Sequence, residues 1–198
     1  MPKLRPEVRD ARRRQLLEAA WRCAAGKRFA EMTVDDVCAE AGLSKGAFYG
    51  YFESKDELLV ALLEEDSAAL DRTLTAIGEE EGTGVERLRR FSQAMLEHAE
   101  DPGRAQVRAD LWAAVLGAPA LRERFAENSA LHRVRLRGWI EEGVERGELR
   151  EVPANALASL LLATADGLML HATLDPTAFR WRNIRRAIDE LLDGIAAR

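Results

Sequence analysis

The chain has 198 residues, with 29 Lys and Arg against 34 Asp and Glu, for a net charge of -5. A hydrophobic content of 47% supplies a real core, which excludes general disorder, and the length allows one large domain or two small ones. Two cysteines, Cys23 and Cys38, exclude a disulfide framework. They read as buried apolar groups in a reducing cytoplasm, with a redox pair as the alternative. The leading segment has no apolar stretch of the signal-peptide kind, so a cytoplasmic location is expected.

The first 28 residues carry nine Lys and Arg (Lys3, Arg5, Arg9, Arg12, Arg13, Arg14, Arg22, Lys27, Arg28) and three acids. That arm is therefore +6 and the rest of the chain -11. A basic arm on an acidic protein suggests a polyanion partner at one end, or else a solvated helix face. Ala, Leu, Glu and Arg dominate and no strand run appears, so the expected fold is all-α with about nine helices.

In chain order, Leu16, Leu17, Ala20, Trp21 and Ala24 recur at helical spacing up to Gly26. Thr33 with Asp35 and Asp36 starts a second helix, running to about Glu40. Ala41-Gly42-Leu43 is a tight turn, and Ser44 caps a short helix expected to reach about Tyr51. Ser54 with Glu57 predicts a capping box opening a long helix that carries Leu58, Leu62, Leu70, Leu74 and Ile77. After the loop 78–84 a helix carries Val85, Leu88, Phe91, Met95 and Ala99 on one face. Breaks at Pro102-Gly103, Pro119, Gly147 and Pro176 divide the remainder into four helices. The most apolar of these, from Pro153 to about Thr173, is expected to be a buried helix of a soluble protein rather than a membrane anchor.

Residues 33–58 make a helix-turn-helix. Val34, Val37 and Cys38 face inward, Leu43 fills the turn, and Phe48 and Phe52 anchor the second helix from behind. Ser44, Lys45, Ala47, Tyr49 and Gly50 are left nearer the outer face. Both tyrosines of the chain, Tyr49 and Tyr51, lie here, and a phenol joins an apolar ring to a hydroxyl that reaches a phosphate or a base edge. As a bare pattern this is equally a helical hairpin serving only as core.

The stretch TVDDVCAEAGLSKGAFYGYFESKDELL resembles the TetR family of transcriptional regulators. The likeness rests on Thr33, Val37, Ala41-Gly42-Leu43-Ser44, Lys45-Gly46, Phe48-Tyr49-Gly50-Tyr51-Phe52 and Ser54-Lys55-Asp56-Glu57-Leu58. It implies an N-terminal three-helix bundle (1–55) that binds DNA and a larger helical domain (56–198) for ligand binding and dimerisation. It also implies DNA-contact roles. Thr33 and Lys55 would meet phosphates, and Ser44 and Lys45 would open the reading helix. Gly46 and Ala47 would let it approach the bases, while Tyr49 and Tyr51 would hold phosphates or a base. Arg12 and Arg13 would flank the duplex. Many members carry a larger residue where this chain has Gly50. The motif region 29–60 is itself acidic, with Lys45 and Lys55 against seven acids.

A reading helix about 10 Å long spans only a few base pairs, so a twofold dimer on a palindromic operator is expected. The last two helices, rich in small and leucine side chains, would form its interface. Met95, His98, Trp112, Asn128, His132, Asp166 and Met169 place polar, soft and aromatic groups on apolar helices and are candidate effector-binding residues. Each also has a bland reading, as core or as a satisfied structural group. The stretch 111–147 together with Asp166-Gly167-Leu168 resembles the betaine-responsive subgroup, which leaves the effector unnamed. The long helix from Ser54 to Ile77 is expected to transmit the effector's influence to the reading helix. No metal or cofactor is expected, and no phosphate loop, HExxH or CxxC points to an enzyme. The overall expectation is a ligand-released DNA-binding repressor. The alternative is a helical interaction module of the same fold that has lost specific DNA binding.

Overall fold

The computed structural model describes residues 5–175 and 177–197, so Lys3 of the basic arm lies outside the described residues. Within them run α1 (Pro6–Gly26), α2 (Val34–Ala41), α3 (Lys45–Phe48), α4 (Lys55–Glu79), α5 (Gly84–Glu100), α6 (Pro102–Gly117), α7 (Pro119–Glu145), α8 (Ala154–Leu174) and α9 (Trp181–Ile195). Among the described residues the only β-type pairing is one bridge, Leu149 with Ala196, which ties the α7–α8 connection to the end of α9.

Local chemistry sets the helix starts. The Thr33 hydroxyl accepts from the Asp36 N–H at 3.2 Å, and the Asp36 carboxylate accepts from the Thr33 N–H at 2.7 Å, so two orphan donors are satisfied reciprocally. Lys27 adds an ion pair to Asp36 at 2.6 Å. Its hydrogen bond and those from Thr33 hold the Asp36 carboxyl well below the usual carboxylate range. Gly42 takes φ +64, the left-handed turn expected between α2 and α3. The Ser44 hydroxyl accepts from the Ala47 N–H and caps α3.

Two local expectations need correction. α3 ends at Phe48 rather than near Tyr51, and the Gly50 and Tyr51 N–H groups close tighter turns onto the Ala47 and Phe48 carbonyls. Gly50 is a poor helix residue, and the chain must turn so that Phe52 is buried beside Phe48, with ring centroids 5.6 Å apart. At Ser54 only half the capping box forms. Its hydroxyl accepts from the Glu57 N–H, but the Glu57 carboxylate accepts from the Glu53 N–H instead.

Two apolar clusters hold the chain. The first joins α1, α2, α3 and the start of α4, with Leu16, Val37, Phe48, Phe52, Leu58 and Leu62, and it also takes Val107 and Leu111 from α6. The second joins the end of α4 to α5, α7, α8 and α9 through Leu74, Phe91, Leu136, Ile140 and Leu192. α4 therefore runs between the clusters, while α6 packs Val107 and Leu111 into the first. α5 and α7 cross at two glycines. A Cβ on Gly84 would stand 2.9 Å from the Trp139 carbonyl, and one on Gly143 would stand 2.8 Å from Leu149. Arg89 of α5 bonds Asp189 at 3.0 Å and Asp193 at 2.8 Å and so fixes α9.

α8 is not the enclosed helix expected from its composition. Only Ala158, Ala165 and Met169 are fully buried. By length and composition α8 would suffice to cross a bilayer, but it packs on α5, α6 and α7 and carries an ion-paired Asp166. Its opposite side is an open stripe of Ala156, Leu160, Ala163, Gly167, Leu170 and Leu174 at spacings of three and four residues. Leu160 is 62% exposed, Leu174 71%, and Leu191 of α9 72%. Such a patch on one chain lacks the cover that apolar surface of this extent requires.

Candidate nucleic-acid interface and effector cavity

The outer surface of α3 presents Ser44, Lys45, Gly46 and Tyr49, all exposed, with Tyr49 55% accessible and its ring edge-on to Phe48. Ala47 is half-buried on the same short helix. Lys45 pairs with Asp35 at 2.9 Å, and that hydrogen bond raises its pKa. Both partners are exposed, so solvent and salt screen the pair and a phosphate can exchange for it. Thr33 is exposed, and its hydroxyl also donates to Asp36 at 2.7 Å. Arg12 is half-buried, and the Arg13 guanidinium lies 5.5 Å over the Phe52 ring, which fixes that cation against the motif.

Two residues sit differently from what the resemblance implied. The Tyr51 hydroxyl is buried without a hydrogen-bond partner, and its ring packs on the first apolar cluster, so it is not offered to a duplex. The phenol follows Gly50 into the turn, which carries it inward. Lys55 spends its three donors on the carbonyls of Phe29 at 2.7 Å, Ala30 at 3.0 Å and Met32 at 2.8 Å, with its ammonium 4.9 Å from the Phe29 ring centroid. It locks the α1–α2 connection to α4. Lys55→Met is accordingly expected to lower stability by about 2 kcal/mol, since hydrogen bonds to a charged group are worth more than neutral ones. Urea unfolding checks this, and an unchanged midpoint would show the clamp to be idle.

The second site is a cavity between α4, α6, α7 and α8, with Met95 of α5 also on its wall. It holds about 890 Å³ of space free of atoms, part of it open to solvent. Of the seven residues expected from sequence, six line it: Met95, Trp112, Asn128, His132, Asp166 and Met169. His98 does not. Its Nδ1 lies 3.2 Å from the Ala94 carbonyl one turn back, so it belongs to α5 itself. Trp112 and Phe125 meet edge to face at 4.7 Å on the wall. Burial lowers the pKa of the His132 imidazole below its ordinary value.

Sequence reasoning named Asp166 but missed its charged partners in this cavity, Arg108 and Asp66. Arg108 of α6 lies between Asp66 of α4, to which it is hydrogen-bonded, and Asp166 of α8 at 3.0 Å. Burial works against the Arg108 charge, but the two carboxylates outweigh it and raise its pKa. Burial likewise raises the Asp166 carboxyl, with Arg108 opposing. The signal was available. Asp66 stands four residues from both Leu62 and Leu70, on the apolar side of α4. Arg108 precedes Leu111, Trp112 and Val115 at spacings of three, four and seven.

α6 is also the direct link to the reading domain. Its Asp110 accepts from the Phe29 N–H at 2.6 Å, and its Val107 and Leu111 enter the first apolar cluster. The same Leu111, one turn on from Arg108, borders the cavity. Beside the expected link along α4, α6 thus provides a second contact between the two sites.

A capped two-helix motif with an exposed reading helix, joined through α6 to an apolar cavity with a charged centre, defines a one-chain, ligand-responsive DNA-binding regulator. Residues 16–62 match the model of bacterial regulatory proteins of the TetR family, and residues 84–197 match the C-terminal model of BetI-type transcriptional repressors. The chain belongs to the TetR family and carries the BetI-type C-terminal domain. The HTH-type transcriptional repressor AcnR of Corynebacterium glutamicum is 26% identical over 158 residues, 79% of each chain. A transcriptional regulator from Rhodococcus has a similar structure, with 26% identity, a TM-score of 0.78, and coverage of 92% of this chain and 95% of that one. A regulator from Saccharomonospora viridis, solved with choline, shares the fold with a TM-score of 0.82 at 23% identity, over 94% of this chain and 98% of that one.

Proposed function

We propose that this regulator works as a cytoplasmic homodimer that represses from a palindromic operator and is released by a small organic effector held in the α4–α6–α7–α8 cavity. In this reading residues 1–55 are the DNA-binding domain and 56–198 the effector and dimerisation domain. Ser44, Lys45, Gly46, Ala47 and Tyr49 meet the duplex, with Thr33, Arg12 and Arg13 on its backbone, and Lys55 supports them from behind. The observation that carries the reading is α6, which borders the cavity with Arg108, Leu111 and Trp112 and grips the α1–α2 connection with Asp110. An effector that displaces α6 reaches the α1–α2 connection directly, and through α2 the reading helix. The open apolar stripe of α8, continued by Leu191, supports these two helices as the dimer face.

A gel shift with DNA upstream of the chain's own gene tests this. A sequence-selective shift below micromolar protein, weakening steeply with salt, is expected. Sequence-indifferent binding, or none, would favour an interaction module that no longer reads DNA.

A further inference from the structure

We infer that the cavity is built for an organic ammonium ion: a protonated amine with N–H donors on a compact apolar body. This rests on the cavity being the effector site and names the class of molecule it takes.

The argument is one of charge balance. At the cavity's centre two carboxylates, Asp66 and Asp166, converge on one guanidinium, Arg108. Among the described residues, the hydrogen bonds to these carboxylates come from Arg108 alone. The other charged pair on the wall, Arg124 of α7 with Glu64 of α4 at 2.5 Å, is balanced. His132, which faces the same space, has its charged form disfavoured by burial. α5 contributes Met95 and no charge to the lining. The cavity thus carries one uncompensated negative charge, and burying a net charge is costly unless a partner arrives. Burial, with Arg108 opposing, raises the Asp166 carboxyl, so holding that charge here has a cost. A bound cation would relieve it.

The same arrangement disfavours anions at its centre. Arg108, the buried guanidinium, is committed to two carboxylates and is not open to a carboxylate or phosphate ligand, while Arg124 pairs with Glu64 where it is largely exposed. The arrangement also favours N–H donors over a methylated ammonium. A cage for the latter needs aromatic faces on several sides. Here Trp112 and Phe125 spend their contact on each other, while carboxylates, Asn128, Ser129 and the imidazole offer acceptors. The remaining wall, including Leu70, Leu121, Val115 and Met169, suits an apolar body.

Calorimetric titration of the full chain at neutral pH with four probes of one shape tests this: benzylamine, benzyl alcohol, benzoate and benzyltrimethylammonium. Saturable binding of benzylamine is expected, at least about tenfold tighter than benzyl alcohol, with the quaternary probe weaker than the amine and benzoate not bound. Asp166→Asn should bring the amine down to the alcohol's affinity, and Asp66→Asn provides the same reading where the first variant does not fold. Equal or tighter binding of the alcohol, benzoate or the quaternary probe would overturn the inference. So would no saturable binding by any probe, or a tenfold amine preference surviving in a folded Asn variant. Failure of the unliganded chain to bind DNA would instead overturn the proposed function, so the two failures are distinguishable.

Discussion

Replacing Arg108 by methionine is expected to destabilise the chain by about 3–5 kcal/mol, the range for removing one partner of a buried ion pair. Asp66 and Asp166 would then face each other without the guanidinium that now joins them. Two features separate this from ordinary loss of packing. The loss should shrink as pH falls. Burial already raises the Asp166 carboxyl and Arg108 opposes that shift, so losing the guanidinium raises it further. The penalty is absent below the unfolded carboxylate's pKa, grows as pH rises from there, and is complete above the raised folded value. The triple variant Arg108→Met, Asp66→Leu, Asp166→Leu should recover most of the stability, because an apolar replacement of the whole group removes the buried charge altogether. Thermal melting at two pH values measures both effects. A pH-independent loss that the triple variant fails to repair would mean that Arg108 acts through its volume alone.

A charge placed on the open stripe is expected to have the largest functional effect. Leu174→Asp combined with Leu191→Asp alters side chains that are 71% and 72% exposed in one chain, so the monomer's own fold should be nearly untouched. If α8 and α9 meet their counterparts in a second chain, those carboxylates are buried in an apolar interface and the dimer separates. Operator affinity should then fall by about 10²–10⁴-fold, because each reading helix must bind without the other's effective concentration. Sedimentation and a gel shift on the same samples check the two halves of this expectation. A variant that is still dimeric and still binds tightly would place the interface elsewhere.

The fold was legible in the sequence where its signals are local. Thr33, Gly42, Ser44, Pro102, Pro119 and Pro153 punctuate helices through their own backbone chemistry, and the structure shows those boundaries within a few residues. Six of the seven cavity residues were legible because polar groups such as Asn128 and His132 interrupt an apolar helical face, and in α7 that face turns inward. His98 broke its apolar face in the same way yet satisfied itself within α5, which periodicity alone does not distinguish. Spacing places Asp66 and Arg108 each on an apolar helical face, but that they meet with Asp166 across 42 and 58 residues is a long-range fact that no local pattern announces. Tyr51 and Lys55 were misplaced for a related reason. A motif tells which residues a reading domain uses, whereas the direction each side chain takes depends on how Gly50 ends α3 and where the Phe29–Met32 carbonyls lie.

Selection of bound duplexes from a random DNA pool tests the central claim, that α3 reads sequence as one of a symmetric pair. The enriched sites should be palindromes whose half-site centres lie about 34 Å, one helical turn, apart or a multiple of it. Lys45→Ala with Tyr49→Ala should erase or redirect that preference while leaving the fold intact. Enrichment of asymmetric single sites, no enrichment at all, or an unchanged preference in the double variant would contradict it.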